Sequence, residues 1–240
     1  MSYTATEERS ASPGLLNEYK QWKAMGAGGV SHDWTGFMLC KGVETTIARS
    51  DTTNVEIYKS PEINAPGWKE ATESQKQAAQ KSFSKEPLPE REGPRVRALK
   101  FVFPQRERPE DHPQPQDVRE AYLAAFDKLI ENSGTEWGTS KLEKRGTALF
   151  MKESLPLSPL AVPSQGEICH IHGTDLSGHV TLSFPDAKEV IEKGWGERHR
   201  LSGTSRLHLG YTMVFVPNNV RETEVLAKIL QAGVDYMKSC

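Results

Sequence analysis

The chain has 240 residues, with 30 lysines and arginines against 32 aspartates and glutamates and a formal net charge of −2. That length suffices for a sizeable buried core, and the near-balance of charge lacks the basic surplus of a nucleic-acid binder. Three cysteines, Cys40, Cys169 and Cys240, cannot all pair within one chain and show no CxxC spacing, so neither a disulfide framework nor a zinc–cysteine site is expected. A reducing, cytoplasmic setting fits this usage. The start, "MSYTATEERSASPG", has no apolar core of a secretory signal. No run approaches the roughly 18 apolar residues of a membrane-spanning helix, so no membrane partner is expected.

In chain order, residues 1–13 read as a disordered tail and 14–240 as one domain, with an irregular N-terminal part (14–95) and a core (96–240). Leu15, Leu16, Tyr19 and Trp22 fall at helical spacing and the glycines after Met25 stop that helix. "WTGFMLCKGVETTIA" reads as a strand and turn from its aromatic and β-branched content. A proline-rich stretch follows, with one polar helix in "WKEATESQKQAAQKSF". "RVRALKFVFP" reads as a strand, with Val96, Leu99, Phe101 and Phe103 mostly alternating. "PEDHPQPQDVREAYLAAFDKLIENSG" is the clearest helix, with an apolar stripe of Val118, Tyr122, Ala125, Phe126, Leu129 and Ile130.

"RGTALFM" reads as a strand. "HVTLSF" alternates at period two, with His179, Thr181 and Ser183 on one side and Val180, Leu182 and Phe184 on the other. Asp186 opens a helix as its cap, with Glu189 three residues on, and Gly194 ends it. "LHLGYTMVFVP" is a last strand before an amphipathic helix with Leu226, Ile229, Leu230 and Met237 inward. Strands and helices mix without regular βα alternation. The expected class is α+β, a mixed or antiparallel sheet with packed helices.

Four of the seven histidines, His170, His172, His179 and His199, lie within thirty residues. Residues alternating along a strand share a face, so His170 and His172 can serve one centre. Three chemistries use such a set. Imidazoles could hold a metal ion, although no Glu follows closely as in the usual cupin pattern. They could move protons near neutral pH. Or Cys169 could act as a nucleophile with a histidine and Asp175, although neighbours on a strand point to opposite faces. The bland reading makes each a packed core histidine, and it is adopted for His32, His112 and His208. Trp195 in "KGWG" reads first as a packed anchor that could also wall a flat substrate. Glu197 either orients a histidine or faces water.

The block "EICHIHGTDLSGHVTLSFPDAKEVIEKGWGERHRLSG" resembles the fungal luciferase family, enzymes that oxidise hydroxylated hispidin, and a broader set of luciferase-domain proteins. The HxH pair, His179, "KGWG" with His199 beyond it, and the "VFVP" strand carry the resemblance. "GTSKLEKRGTALF", "REGPRVR" and "YKQWKAMGAGG" extend it upstream. The light-emitting members begin with a membrane-anchoring segment, which is not read here.

The resemblance implies an enzyme without metal or organic cofactor, whose electron-rich pyrone substrate forms an anion that reacts with oxygen directly. It places this chain in fungal secondary metabolism, acting on a polyketide or α-pyrone-like molecule such as a polyketide synthase product. Oxygenation and cyclisation or hydrolysis both use such enolate chemistry. The alternatives are a non-catalytic binding protein of such a pathway and a Cys–His–Asp hydrolase or cyclase. The expected catalytic residues are His170, His172, His179, His199, Asp175 and Cys169, with Trp195, Arg198 and Lys141 binding substrate. No metal and no cofactor are expected.

Overall fold

The structure, a computed structural model, describes residues 11–98, 101–108, 114–131 and 134–240. Leu99, His112 and the side chain of Ile130 lie outside the described residues. Seven α-helices are present among them: α1 (Pro13–Ala24), α2 (Trp34–Thr46), α3 (Pro61–Asn64), α4 (Glu73–Ala79), α5 (Gln116–Asp127), α6 (Phe184–Glu192) and α7 (Val220–Ser239). Six strands, β1 (Thr135–Thr139), β2 (Thr147–Met151), β3 (Glu167–Ile171), β4 (Gly178–Thr181), β5 (Gly196–Arg198) and β6 (Tyr211–Val214), form one antiparallel sheet in the order β1-β2-β3-β4-β6-β5. The α+β expectation holds.

The alternation along the strands sends two chemistries to two faces. Leu149, Cys169, Ile171, Val180 and Val214 join the larger apolar cluster, where Leu226, Ile229, Leu230, Val234 and Met237 of α7 cover them. Each such side chain contributes about 1.5–3 kcal/mol by leaving water. The opposite face carries His170, His179 and Tyr211. It meets a second apolar cluster built from Trp22, Met25, Trp34, Phe37, Cys40, Phe101 and Val102 together with Leu201 and Leu207.

Three local expectations are corrected. "WTGFMLCKGVETT" is helix α2, not a strand: Asp33 caps it by accepting from the Gly36 amide at 3.0 Å, and Trp34, Phe37 and Cys40, at a spacing of three, bury on one side. The stretch 95–104 forms no strand in its described residues. Instead Phe101 and Val102 bury in the second cluster, and the Phe103 carbonyl accepts from the Trp22 indole. The cap of α6 is Ser183, whose hydroxyl accepts from the Asp186 amide at 3.4 Å and donates to its carboxylate at 2.8 Å. Strand β1 is an addition to what the sequence pattern suggested. Among the described residues no helix is long and apolar enough to cross a membrane.

Candidate functional site

Strands β3 and β4 pair His170 directly with His179, and His172 follows just past the end of β3. His199 lies one residue beyond β5, fixed by its amide donating to the Tyr211 carbonyl at 3.1 Å. The four rings meet. Centroids of His170, His172 and His179 lie 5.0–5.1 Å apart, and His199 is 5.2 Å from His179. All four are buried. The loop between β1 and β2, residues 140–146, adds Glu143. Its Oε1 lies 3.1 Å from His172 Nε2 and 3.9 Å from His170 Nε2, and its Oε2 accepts from Arg106 at 3.3 Å.

Glu167 reaches the cluster through a bulge. Opposite β2, Cys169 pairs with Leu149 but Glu167 pairs with Phe150, so Ile168 is the extra residue. A bulge re-aims side chains, and here it turns Glu167 to the face of His170. The carboxylate is fully buried and satisfied: Oε1 takes His170 Nδ1 at 2.6 Å and the Tyr211 hydroxyl at 3.1 Å, and Oε2 takes Ser140 Oγ at 2.9 Å.

These bonds assign protons. A carboxylate accepts only, so His170 carries its proton on Nδ1. Ser177 Oγ donates to Asp175 Oδ2 at 2.8 Å, so toward His172 Nδ1, also at 2.8 Å, it accepts, and His172 too carries Nδ1–H. His199 Nδ1 accepts from the Leu201 amide at 3.0 Å, which leaves Nε2–H on the neutral ring. His179 makes no hydrogen bond among the described residues, and its Nδ1 is buried without a partner.

Electrostatics divides the rings. Burial alone would lower His170, but the adjacent Glu167 and Glu143 carboxylates outweigh it and raise the imidazole to about 10. Burial also pushes Glu143 up, yet the His172 and His170 charges and hydrogen bonds hold it well below the usual carboxylate range. Burial lowers His199 to about 3, so that ring stays neutral. Burial and the charges of His170, His172 and His199 lower His179 in the same direction.

Above the cluster lies a cavity of about 540 Å³, a size suited to a drug-sized molecule. His170, His179, His199, Glu143 and Tyr211 form its polar part, with His172 behind them. Val102, Phe103, Leu142, Leu201 and Leu207 supply apolar wall, and the outer side of α2, with Leu39, Val43 and Ile47, forms its rim.

Of the expected site residues, the structure brings His170, His172, His179 and His199 together at the cavity. Asp175 joins them indirectly, through Ser177 and at 3.5 Å from His172 Nδ1. Lys141 lines the cavity, with its ammonium 3.3 Å from Glu153 and over the Phe150 ring. The other three are placed elsewhere. Cys169 lies on the opposite face of β3 within the larger apolar cluster, where burial pushes its thiol up. Trp195 is buried in that cluster with its indole donating to the Pro89 carbonyl at 2.7 Å. Arg198 is buried against Asp51, 3.2 Å from its Oδ1. Glu197 bonds Thr52 and the Ala98 amide, not a histidine. Glu143, Glu167 and Tyr211 were not singled out in the sequence. Glu143 sits two residues from Lys141, and Glu167 opens the histidine block, so nearness to those residues is the signal the sequence carries for them.

His208 is a structural histidine. Its Nδ1 accepts from the Gly210 amide at 2.9 Å, so Nε2–H donates to the Tyr236 hydroxyl at 2.8 Å, and burial lowers the ring to about 3. Between pH 6.5 and about 3 the unfolded chain binds a proton here that the folded chain does not, so stability is lost as pH falls through that window. Acidifying from pH 7 to 5 should remove about 2 kcal/mol through this one group. Denaturant titrations of His208→Gln should show a correspondingly flatter dependence over that range, and an unchanged slope would refute the assignment.

The antiparallel α+β sheet thus sets buried imidazoles and carboxylates at one end of a largely apolar cavity. Residues 165–233 match the Luciferase domain family. It is 34% identical over 167 residues to a luciferase of Neonothopanus nambi, 32% over 164 residues to one of Armillaria gallica and 31% over 162 residues to one of Armillaria mellea. Each alignment spans 62% of this chain and 61% of the relative's length. No solved structure matches.

Proposed function

We propose that the chain is a small-molecule enzyme of oxygenase type, acting on a polyketide or α-pyrone-like substrate of fungal secondary metabolism through enolate chemistry. The observation that carries this reading is the convergence of three buried imidazoles and Glu143, backed by His172, on the polar end of a largely apolar cavity. A flat ring lies between the apolar walls with its acidic hydroxyl at the cluster. The cluster takes up the hydroxyl proton, and the resulting anion is held by the positive charge at His170 and by the Nε2–H of neutral His199. Lys141 offers a further cation at the wall. The enolate then combines with molecular oxygen; without oxygen the same anion serves cyclisation or hydrolysis.

The luciferase relatives support the oxygenase form. The Cys–His–Asp alternative loses its footing because Cys169 lies across the sheet from the cluster. A binding protein remains the competing class. The two separate on incubation with a panel of α-pyrones, in air and under argon, with dissolved oxygen and product masses followed. The proposal expects oxygen uptake matched by product. Tight binding with no product under either atmosphere would make the chain a binder.

A further inference from the structure

We propose that Glu143, His170, His172 and His179 form a binding site for one divalent first-row transition ion. The inference deepens the functional reading above and rests on it for what the ion does, but not for whether the ion binds.

The hydrogen bonds carry the argument. His170 and His172 both hold their protons on Nδ1, against Glu167 and against the Ser177–Asp175 pair. When His170 releases its second proton, both Nε2 atoms present lone pairs, and these lie only 3.2 Å apart. Glu143 Oε1 completes a triangle, 3.1 Å from one and 3.9 Å from the other. Three electron-rich atoms facing one another require a positive particle among them. A proton on His170 Nε2 serves one edge of the triangle; an ion serves all three. A triangle with these sides has a point about 2.1 Å from every corner, the ordinary length of a zinc–imidazole or zinc–carboxylate bond.

A fourth donor is at hand. One ring nitrogen of His179 lies within 4.8 Å of the other donor atoms. His179 is buried and has no hydrogen bond to either nitrogen among the described residues.

The outer shell is also complete. Metal-bound imidazoles typically give their other N–H to a carboxylate or an equivalent acceptor, and ligating carboxylates are themselves hydrogen-bonded. Here His170 has Glu167, His172 has Ser177 backed by Asp175, and Glu143 has Arg106. Imidazoles with one carboxylate suit zinc, iron, cobalt, nickel or copper. Glu143, His170 and His179 line the cavity, so such an ion faces the substrate and supplies, in stronger form, the positive charge against which its oxyanion forms.

The probe is Co(II), added to chelator-treated full-length protein without substrate and followed by calorimetry and visible absorption. The expected result is about one equivalent bound at micromolar concentration or tighter, with ligand-field bands of a nitrogen–oxygen site. His172→Gln should weaken binding by about 100-fold or more, and Ser177→Ala, which alters only an outer partner, by about 10- to 100-fold. Glu143→Gln, on a turn, gives a second ligand variant if His172→Gln does not fold. Less than about one-tenth equivalent at 100 μM Co(II), or uptake unchanged in the folded ligand variants, overturns the inference. A protein that takes no cobalt yet turns over a pyrone overturns the ion and leaves the function. One that takes cobalt in this pattern without turnover upholds the ion and removes the function.

Discussion

Replacing His170 with glutamine should lower turnover of an α-pyrone substrate by about 100-fold or more while ligand affinity changes by only a few-fold. Glutamine retains a polar contact to Glu167 but cannot carry the positive charge that Glu167 and Glu143 hold on the imidazole. It also removes the nitrogen 3.2 Å from His172. The apolar walls, which hold the ring of the ligand, are untouched. Steady-state kinetics beside a binding titration separates the two quantities. Turnover within about threefold of the parent would place the chemistry elsewhere.

Gly178→Ala should destabilise the fold by about 3 kcal/mol or more, from steric overlap in a close-packed strand pair. Gly178 stands in β4 opposite Ile171, and a Cβ there would lie 2.4 Å from the His170 carbonyl oxygen and 3.3 Å from the Ile171 Cα. Both atoms are backbone and cannot swing aside. Strands β3 and β4 would have to separate, and with them the His170–His179 pair. Gly173→Ala in the adjacent turn is the control: nothing lies within 4 Å of its added Cβ, and stability should change by less than about 1 kcal/mol. Urea titration of both variants checks this. Comparable losses would show that crowding at Gly178 is not the cause.

What the sequence disclosed follows from which signals are periodic. Helices α5 and α7 repeat apolar residues at 3.6, and "HVTLSF" alternates at two; their inward sides could be read directly. The meeting of His170, His172 and His179 followed from the same alternation. The sequence pattern hid the residues placed by irregular backbone. Glu167 is three positions from His170, which in a regular strand means opposite faces; only the bulge at Ile168 brings them together. Glu143 arrives on a turn, where no period exists. In helix α2 the aromatic and β-branched content of a strand masks the three-residue spacing of Trp34, Phe37 and Cys40. Arg198 and Trp195 have residue types suited to a substrate site, yet both are consumed in buried contacts to Asp51 and Pro89.

The most direct measurement is of the imidazole nitrogens themselves. With ¹⁵N-labelled histidine, long-range proton–nitrogen spectra are recorded as an α-pyrone ligand is titrated. The account predicts that the nitrogens of His170, His179 and His199 shift together along one binding curve while those of His32 and His208 stay fixed. A ligand that is bound and turned over while the three cavity rings remain unmoved would contradict it.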